Sequence, residues 1–221
     1  MDTCWYPMEG KKSCSNECWT NFNLCSRTII LKILLAGDSF AAKWPEEGGW
    51  PELLAQKHDV INVAQAGVSE YKILRQIQNA NLSKFDKIIV SHTSPTRVHT
   101  RKHPIHGNGL HVDCDLIYND IIDRNSWFNP SLRGAQDWFK YHYDEDYQTD
   151  IYLLIRKEIR TILKRSNYIS ITHMPISTKY AVEHNNISFS TVWQQHRGTI
   201  NHYTEKGNQI VYEQILDIIN K

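Results

Sequence analysis

The first strong hydrophobic pattern covers residues 29–36, Ile-Ile-Leu-Lys-Ile-Leu-Leu-Ala, an aliphatic run of strand length closed by Gly37. A run this uniform suits a strand covered on both faces, as in a parallel sheet. Residues 59–63 and 85–91 read as second and third strands, 168–172 as a fourth that Pro175 stops, and 187–190 as a short fifth. Between them the apolar spacing changes to a helical period. A short helix is predicted over 49–57, where Pro51 suits a first turn. A second runs from Ser69 to about Asn79, with Tyr71, Ile73, Leu74 and Ile77 on one face. A third covers 149–164, where Ile151, Leu154, Ile155, Ile159 and Ile162 recur with helical spacing, and a last covers 204–220, burying Ile210, Val211, Ile215, Ile218 and Ile219.

Strands alternating with helices imply right-handed crossovers and a three-layer α/β/α sandwich around a central parallel sheet. Each strand-to-helix loop of such a sheet leaves its carboxyl edge, where ligands bind. Chemistry is therefore sought just after a strand or just before a helix.

Two regions fall outside this rhythm. Residues 94–147 contain Pro95, Pro104 and Pro130, several histidines and many aromatics, with weak periodicity only around 113–123. They read as a long insertion carrying one helix. Residues 1–28 contain Cys4, Cys14, Cys18 and Cys25, four of the five cysteines. Only Cys14 and Cys18 have the close spacing of a structural zinc pair, nothing else signals an oxidising compartment, and no apolar stretch follows a basic start as in a secretory signal. This segment is read as a poorly ordered extension of a domain over 29–221.

Composition narrows the function classes. The 221 residues carry 25 Lys+Arg against 24 Asp+Glu, a net charge of +1, which leaves no electrostatic footprint for nucleic acid. Hydrophobic residues at 41% and charged residues at 22% exclude general disorder. No apolar run reaches the roughly 18–20 residues needed to cross a bilayer. The expectation is a soluble, cytoplasmic domain with neither membrane nor nucleic-acid partner.

Four segments satisfy the edge criterion: Gly37-Asp38-Ser39-Phe40, the stretch from Asn62 through Gly67 to Glu70, Ser91-His92-Thr93 through Arg97, and Asn201-His202 through Gly207. Together they offer a hydroxyl, a flexible backbone amide, polar side chains and an imidazole, the inventory of acyl transfer. Each has a simpler alternative. Ser39 could cap a helix, and Gly67 could serve only a turn that needs positive φ.

In this order the motifs resemble the GDSL-type esterases of the SGNH hydrolase superfamily, over roughly residues 31–93 and 168–220. The resemblance implies a flavodoxin-like sheet and a serine esterase that needs no cofactor and no metal. By it, Ser39 is the nucleophile, the Ser39 and Gly67 N–H groups form the oxyanion hole, and His202, followed by Gly207, is the base. The positive end of a helix after Ser39 would assist.

Two positions depart from the family pattern. The third block's usual Asn is Thr93, whose hydroxyl can still donate one hydrogen bond to the oxyanion. The acid expected three residues before the histidine is Thr199, and no carboxylate occurs from Asn185 to His202. Replacing such an acid can lower turnover by about 10⁴. A main-chain carbonyl could hold His202 instead, a carboxylate from the insertion such as Asp113 or Asp115 could reach it, or the site could be weak or dead. Asp38 is read as shaping its own turn by binding backbone amides, and Asp38 and Arg97 are the candidate substrate-binding pair.

The expected activity is hydrolysis of a small acyl ester, esterase- or deacetylase-like, with a carbohydrate as one candidate alcohol. The alternatives are a catalytically weak or inactive glycan- or ligand-binding relative, and an acyltransferase using the same site. A nucleotide binder fits less well, because the first loop lacks a phosphate-cradling glycine series. His92, His99, His103, His106 and His111 have ligand-like spacing. Pro104 breaks any regular face among them, and Arg97, Arg101 and Lys102 would repel a cation, so they are read as cleft lining rather than a metal site. Trp44, Trp50, Trp127, Trp138 and Trp193 are divided between packing and sugar-stacking roles.

Overall fold

The structure, a computed structural model, describes residues 29–44, 48–181, 185–198 and 202–221. Five parallel strands form one sheet: β1 (Lys32–Gly37), β2 (Asp59–Asn62), β3 (Lys87–His92), β4 (Tyr168–Thr172) and β5 (Asn186–Ser188). Their order is β2-β1-β3-β4-β5. This is the flavodoxin-like arrangement, in which the connections diverge to opposite faces at β1 and β3 and leave a crevice beyond their carboxyl ends.

Successive side chains of a strand point to opposite faces, and the β1 run divides accordingly. Ile33 and Leu35 pack with α1 (Trp50–Ala55) and the helix that ends the chain. Leu34 and Ala36 pack with α2 (Glu70–Asn79) and a long helix before β4. The uniformly aliphatic sequence thus reflects two cores, one on each face of the sheet. The chain starts its pairing late: Lys32 is the first β1 residue opposite β2, and Ile29 and Ile30 remain 74% and 72% exposed.

The insertion is more ordered than its sequence suggests. A short α3 (Tyr118–Ile121) falls in the weakly periodic stretch, and a longer α4 (Pro130–Tyr141) follows. Pro130 opens that helix, where its missing N–H costs nothing, and the Asn129 side chain caps it by accepting from the Leu132 N–H. Ile121, Leu132 and Phe139 make a third, small core.

Next comes α5 (Glu145–Leu163), capped by Asp144. It begins four residues earlier than predicted, and its buried stripe is Tyr152, Arg156, Ile159 and Leu163, while Leu154 is 58% exposed. The polar pair displaces the expected aliphatic face because it finds partners inside. Tyr152 donates to the Thr93 carbonyl, and Arg156 donates to Tyr152 Oη and Ser170 Oγ. Short helices α6 (Pro175–Lys179) and α7 (Ser190–Gln195) flank β5, and α8 (Glu205–Ile219) ends the fold, burying Val211, Ile215 and Ile219. Among the described residues no helix is long and apolar enough to cross a membrane.

Candidate active site

The site begins where β1 ends. Gly37 lies opposite Ser91 of β3, and a Cβ at position 37 would sit 2.5 Å from the Ser91 Cβ, so only glycine allows the two strands this approach. The Gln76 side chain of α2 brackets the same residue, accepting from its N–H at 2.8 Å and donating to its carbonyl at 3.1 Å. Beyond it the chain makes a tight turn. Asp38 Oδ1 accepts the Phe40 N–H at 3.1 Å, and the Ala41 and Ala42 N–H groups bond back to the Asp38 carbonyl. Ser39, 7% exposed, sits at the top.

The chain directly after Ser39 is a turn, and among the described residues the next helix is the one predicted over 49–57, beginning at Trp50, so no helix starts at Ser39 itself.

Asp38 is completely buried. Burial raises its pKa above the ordinary carboxylate value, against a lowering effect of Arg97, whose Nη2 is 3.7 Å from Asp38 Oδ2. Arg97 Nη1 donates to the Val68 carbonyl at 3.1 Å, so the guanidinium links the Ser39 turn to the loop after β2. Thr93 has a smaller lowering effect on Asp38, yet its buried hydroxyl and Asp38 Oδ2 fall outside hydrogen-bonding geometry. We therefore regard the two as neighbours rather than partners. The Thr93 N–H goes to Glu70 Oε2 at 3.2 Å and its carbonyl accepts from Tyr152.

Gly67 has φ of +77°, and a Cβ there would lie 2.5 Å from the Cβ of Cys114 in the insertion. Its carbonyl accepts the Asp115 N–H at 2.9 Å. Neither the Ser39 N–H nor the Gly67 N–H donates to any acceptor among the described residues.

His202 sits on the segment leading into α8. Its carbonyl accepts the Gly198 N–H, the Thr204 N–H bonds to the His196 carbonyl, and Thr204 caps the helix through the Gly207 N–H. A Cβ on Gly207 would come within 2.8 Å of the His196 Cβ and 3.1 Å of the Tyr203 Cβ, which explains a glycine in the first turn. The His202 ring packs on Trp44 (4.7 Å between centroids) and on Phe40 (5.1 Å), while Trp44 Nε1 donates to the Ser39 carbonyl at 2.8 Å. Ser39 and His202 therefore share immediate neighbours at one edge. No hydrogen bond joins the Ser39 hydroxyl to the His202 ring among the described residues.

Thr199 lies outside the described residues, as do the four cysteines and the extension over 1–28. Of the substitutes weighed for the missing acid, the insertion carboxylates bond elsewhere. Asp115 accepts from the Ser69 and Thr100 N–H groups and pairs with Lys72 and His99, and Asp113 accepts from Gln65.

The sequence reading gave no role to Ser91 and Tyr203, although both lie in its selected segments, and passed over His173. Ser91 Oγ is 3.3 Å from Asp38 Oδ1 and 3.0 Å from His173 Nε2, and His173 Nδ1 is 2.7 Å from Tyr203 Oη. His173 is stacked on Phe40 at 4.6 Å, and desolvation lowers its pKa to about 3, so the ring is neutral. Its signal was its place: it follows β4 directly, at the same sheet edge, and the edge criterion would have selected it.

The insertion histidines divide among different tasks. His92 Nδ1 is 2.5 Å from Glu70 Oε1, with both groups buried, and His99 pairs with Asp115. His103, His106 and His111 follow ring on ring, with centroids 4.8 and 5.3 Å apart, and His111 reaches Trp44. Burial lowers the His103 pKa to about 4. Among the described residues no group of three or more His, Cys, Asp or Glu is arranged to hold a metal ion. Trp50 is fully buried packing, Trp127 is 74% exposed, Trp138 and Trp193 pack against cores, and of these five Trp44 is the one whose ring meets His202.

No family model matches the chain, and no curated protein does. Among solved structures it is similar to the acetylxylan esterase Axe2 from Geobacillus stearothermophilus. That likeness has 13% identity and a TM-score of 0.44, over 85% of this chain and 93% of that one. A catalytic mutant of the same esterase gives 12% identity and a TM-score of 0.47, over 86% and 95%. At this level of identity the likeness assigns no residue a role.

Proposed function

We propose that the chain is a serine-dependent ester hydrolase with Ser39 as nucleophile and His202 as base. The observation that carries this reading is the pair of N–H groups, from Ser39 and Gly67, that donate to no acceptor among the described residues, beside a serine whose turn shares Phe40 and Trp44 with His202. Backbone donors held ready for a developing oxyanion, in a turn that needs no reorganisation, are the largest single contribution to acyl transfer. Ser39 Oγ attacks the acyl carbon as His202 takes its proton. His202 then returns the proton to the leaving alkoxide, and water releases the acyl-enzyme.

Asp38 and Arg97 act together by fixing the Ser39 turn against Val68, next to Gly67, and Thr93 supports that corner. The substrate class is a small acyl ester, with a carbohydrate as the alcohol part, for which Trp44 supplies an aromatic wall. A second reading, a ligand binder on the same scaffold, is favoured because no Ser39–His202 hydrogen bond occurs among the described residues, although such bonds are often loose before substrate binds.

Reaction with a fluorophosphonate separates the two. A hydrolase is labelled at Ser39, as shown by mass spectrometry of the modified peptide, and Ser39→Ala and His202→Ala lose the label. If wild type is as inert as Ser39→Ala, the binder takes over.

A further inference from the structure

An unbroken line of buried hydrogen bonds joins the sequence neighbours of the two residues read above as nucleophile and base. Asp38 immediately precedes Ser39, and Tyr203 immediately follows His202. From Asp38 Oδ1 the line passes to Ser91 Oγ, to His173 Nε2, through the ring to Nδ1, and on to Tyr203 Oη, over links of 3.3, 3.0 and 2.7 Å. Asp38 and Ser91 have no exposed surface, His173 is 1% exposed and Tyr203 7%. Each belongs to a different element: the turn after β1, β3, the loop after β4, and the segment before α8.

With Asp38 ionised, the donors and acceptors permit a single direction. A neutral imidazole has one donor nitrogen and one acceptor. With Asp38 ionised, the Ser91 hydroxyl donates to Oδ1 and accepts from His173 Nε2–H, and Nδ1 accepts the Tyr203 hydroxyl. With Asp38 protonated on Oδ1 every bond would reverse, and the Tyr203 hydroxyl hydrogen would then have no acceptor on the line, so the ionised direction is the one that satisfies its donors. Phe40 seals the line, its ring 4.6 Å from His173, 5.1 Å from His202 and 5.5 Å from Tyr203. Four buried polar groups are a poor way to fill space, because any unmet one is costly. A closed line fixes the relative placement of its ends.

We propose that Asp38, Ser91, His173 and Tyr203 are positioning residues that hold the Ser39 turn and the His202 segment in register, a task the chain cannot give to a carboxylate three residues before His202. The inference rests on the reading of Ser39 and His202 as the catalytic pair. None of the four need touch substrate.

The test uses Ser91→Ala and Tyr203→Phe, singly and combined, in the full chain. Each removes one hydroxyl from the line and leaves the packing nearly intact. The rate of fluorophosphonate labelling per folded molecule is expected to fall by on the order of 10²-fold in each single variant, the scale of a small misplacement of reacting groups. The double variant is expected to be no slower than the slower single, because one break already opens the line. With p-nitrophenyl acetate, kcat falls while KM holds. His173→Gln, whose amide can both donate to Ser91 and accept from Tyr203, retains more activity than His173→Leu.

A second readout needs no activity. At fixed pH, the imidazole NMR signals of His202 are expected to move in Ser91→Ala, although Ser91 is not its neighbour. Folded variants that label as fast as wild type, or a double variant whose losses multiply, would overturn the inference and leave the hydrolase reading in place. If wild type never labels, that reading fails and the His202 signals alone decide: unmoved signals overturn the positioning line, and moved ones uphold it.

Discussion

Ser91 and His92 are consecutive residues of β3, and they hold two different polar systems on the two faces of the sheet. Ser91 faces the α1/α8 layer and belongs to a line of hydrogen bonds through a neutral imidazole. His92 faces the α2/α5 layer and meets the Glu70 carboxylate, whose other oxygen binds the Thr93 N–H. The same side also holds Asp115, which gathers Lys72, His99 and two backbone N–H groups and so ties the insertion to the start of α2. One face carries hydrogen bonds whose geometry matters, and the other carries charges whose removal is expensive. The two faces should therefore fail differently, the first in rate and the second in stability.

The largest expected effect on stability is Glu70→Ala, which removes the buried carboxylate that meets His92 Nδ1 and accepts the Thr93 N–H. Urea unfolding should show a loss of about 3–5 kcal/mol, the usual result of removing one partner of a buried pair, while the labelling rate of the molecules that remain folded changes little. A rate loss equal to that of Ser91→Ala would erase the distinction between the faces.

Gly67→Ala comes next, because the new Cβ meets both a positive φ and Cys114. Backbone strain alone is worth about 1–3 kcal/mol, and under the proposed role of Gly67 as an oxyanion donor labelling should fall as well. Stability lost with no change in rate would remove Gly67 from the site.

The third effect is a pH dependence. His173 and His103 have folded pKa values of about 3 and about 4, both below the ordinary 6.5. Between those values the unfolded chain binds protons that the folded chain refuses. Their contribution to stability is intact above pH 6.5 and is lost progressively as pH falls towards 4 and then 3. Denaturant midpoints at pH 7, 6 and 5 should decline, and His173→Gln should decline less steeply than wild type. The smallest effect is the control: Asp217→Asn breaks an exposed pair with Lys221 in α8 and should shift stability by no more than about 0.5 kcal/mol.

Where the sequence was legible follows from the same physics. The strands, their parallel arrangement and the helices of the core could be read because burial on both faces leaves an aliphatic run such as 33–36. Ser39, Gly67 and His202 could be placed at one edge because each adjoins such an element. The stripe of α5 was misphased because Tyr152 and Arg156 are buried by hydrogen bonds, which apolar periodicity does not register. In the insertion, Pro130 reads as a breaker until its place at a helix start is known, and α4 is hidden with it. The edge criterion could have selected His173, directly after β4, but its link to Ser91 and Tyr203, which come from distant parts of the chain, has no signal in the sequence.

Cys114 presses its Cβ against the Gly67 turn, is 4% exposed, and has a thiol pushed up to about 11 by burial. A thiol so placed is silent toward disulfide reagents while the insertion stays seated, and each unseating offers it for a moment. With the other four cysteines changed to serine, the pace at which it is consumed would time how often the insertion parts from the Gly67 turn, and under the proposed function a bound ester should slow that clock.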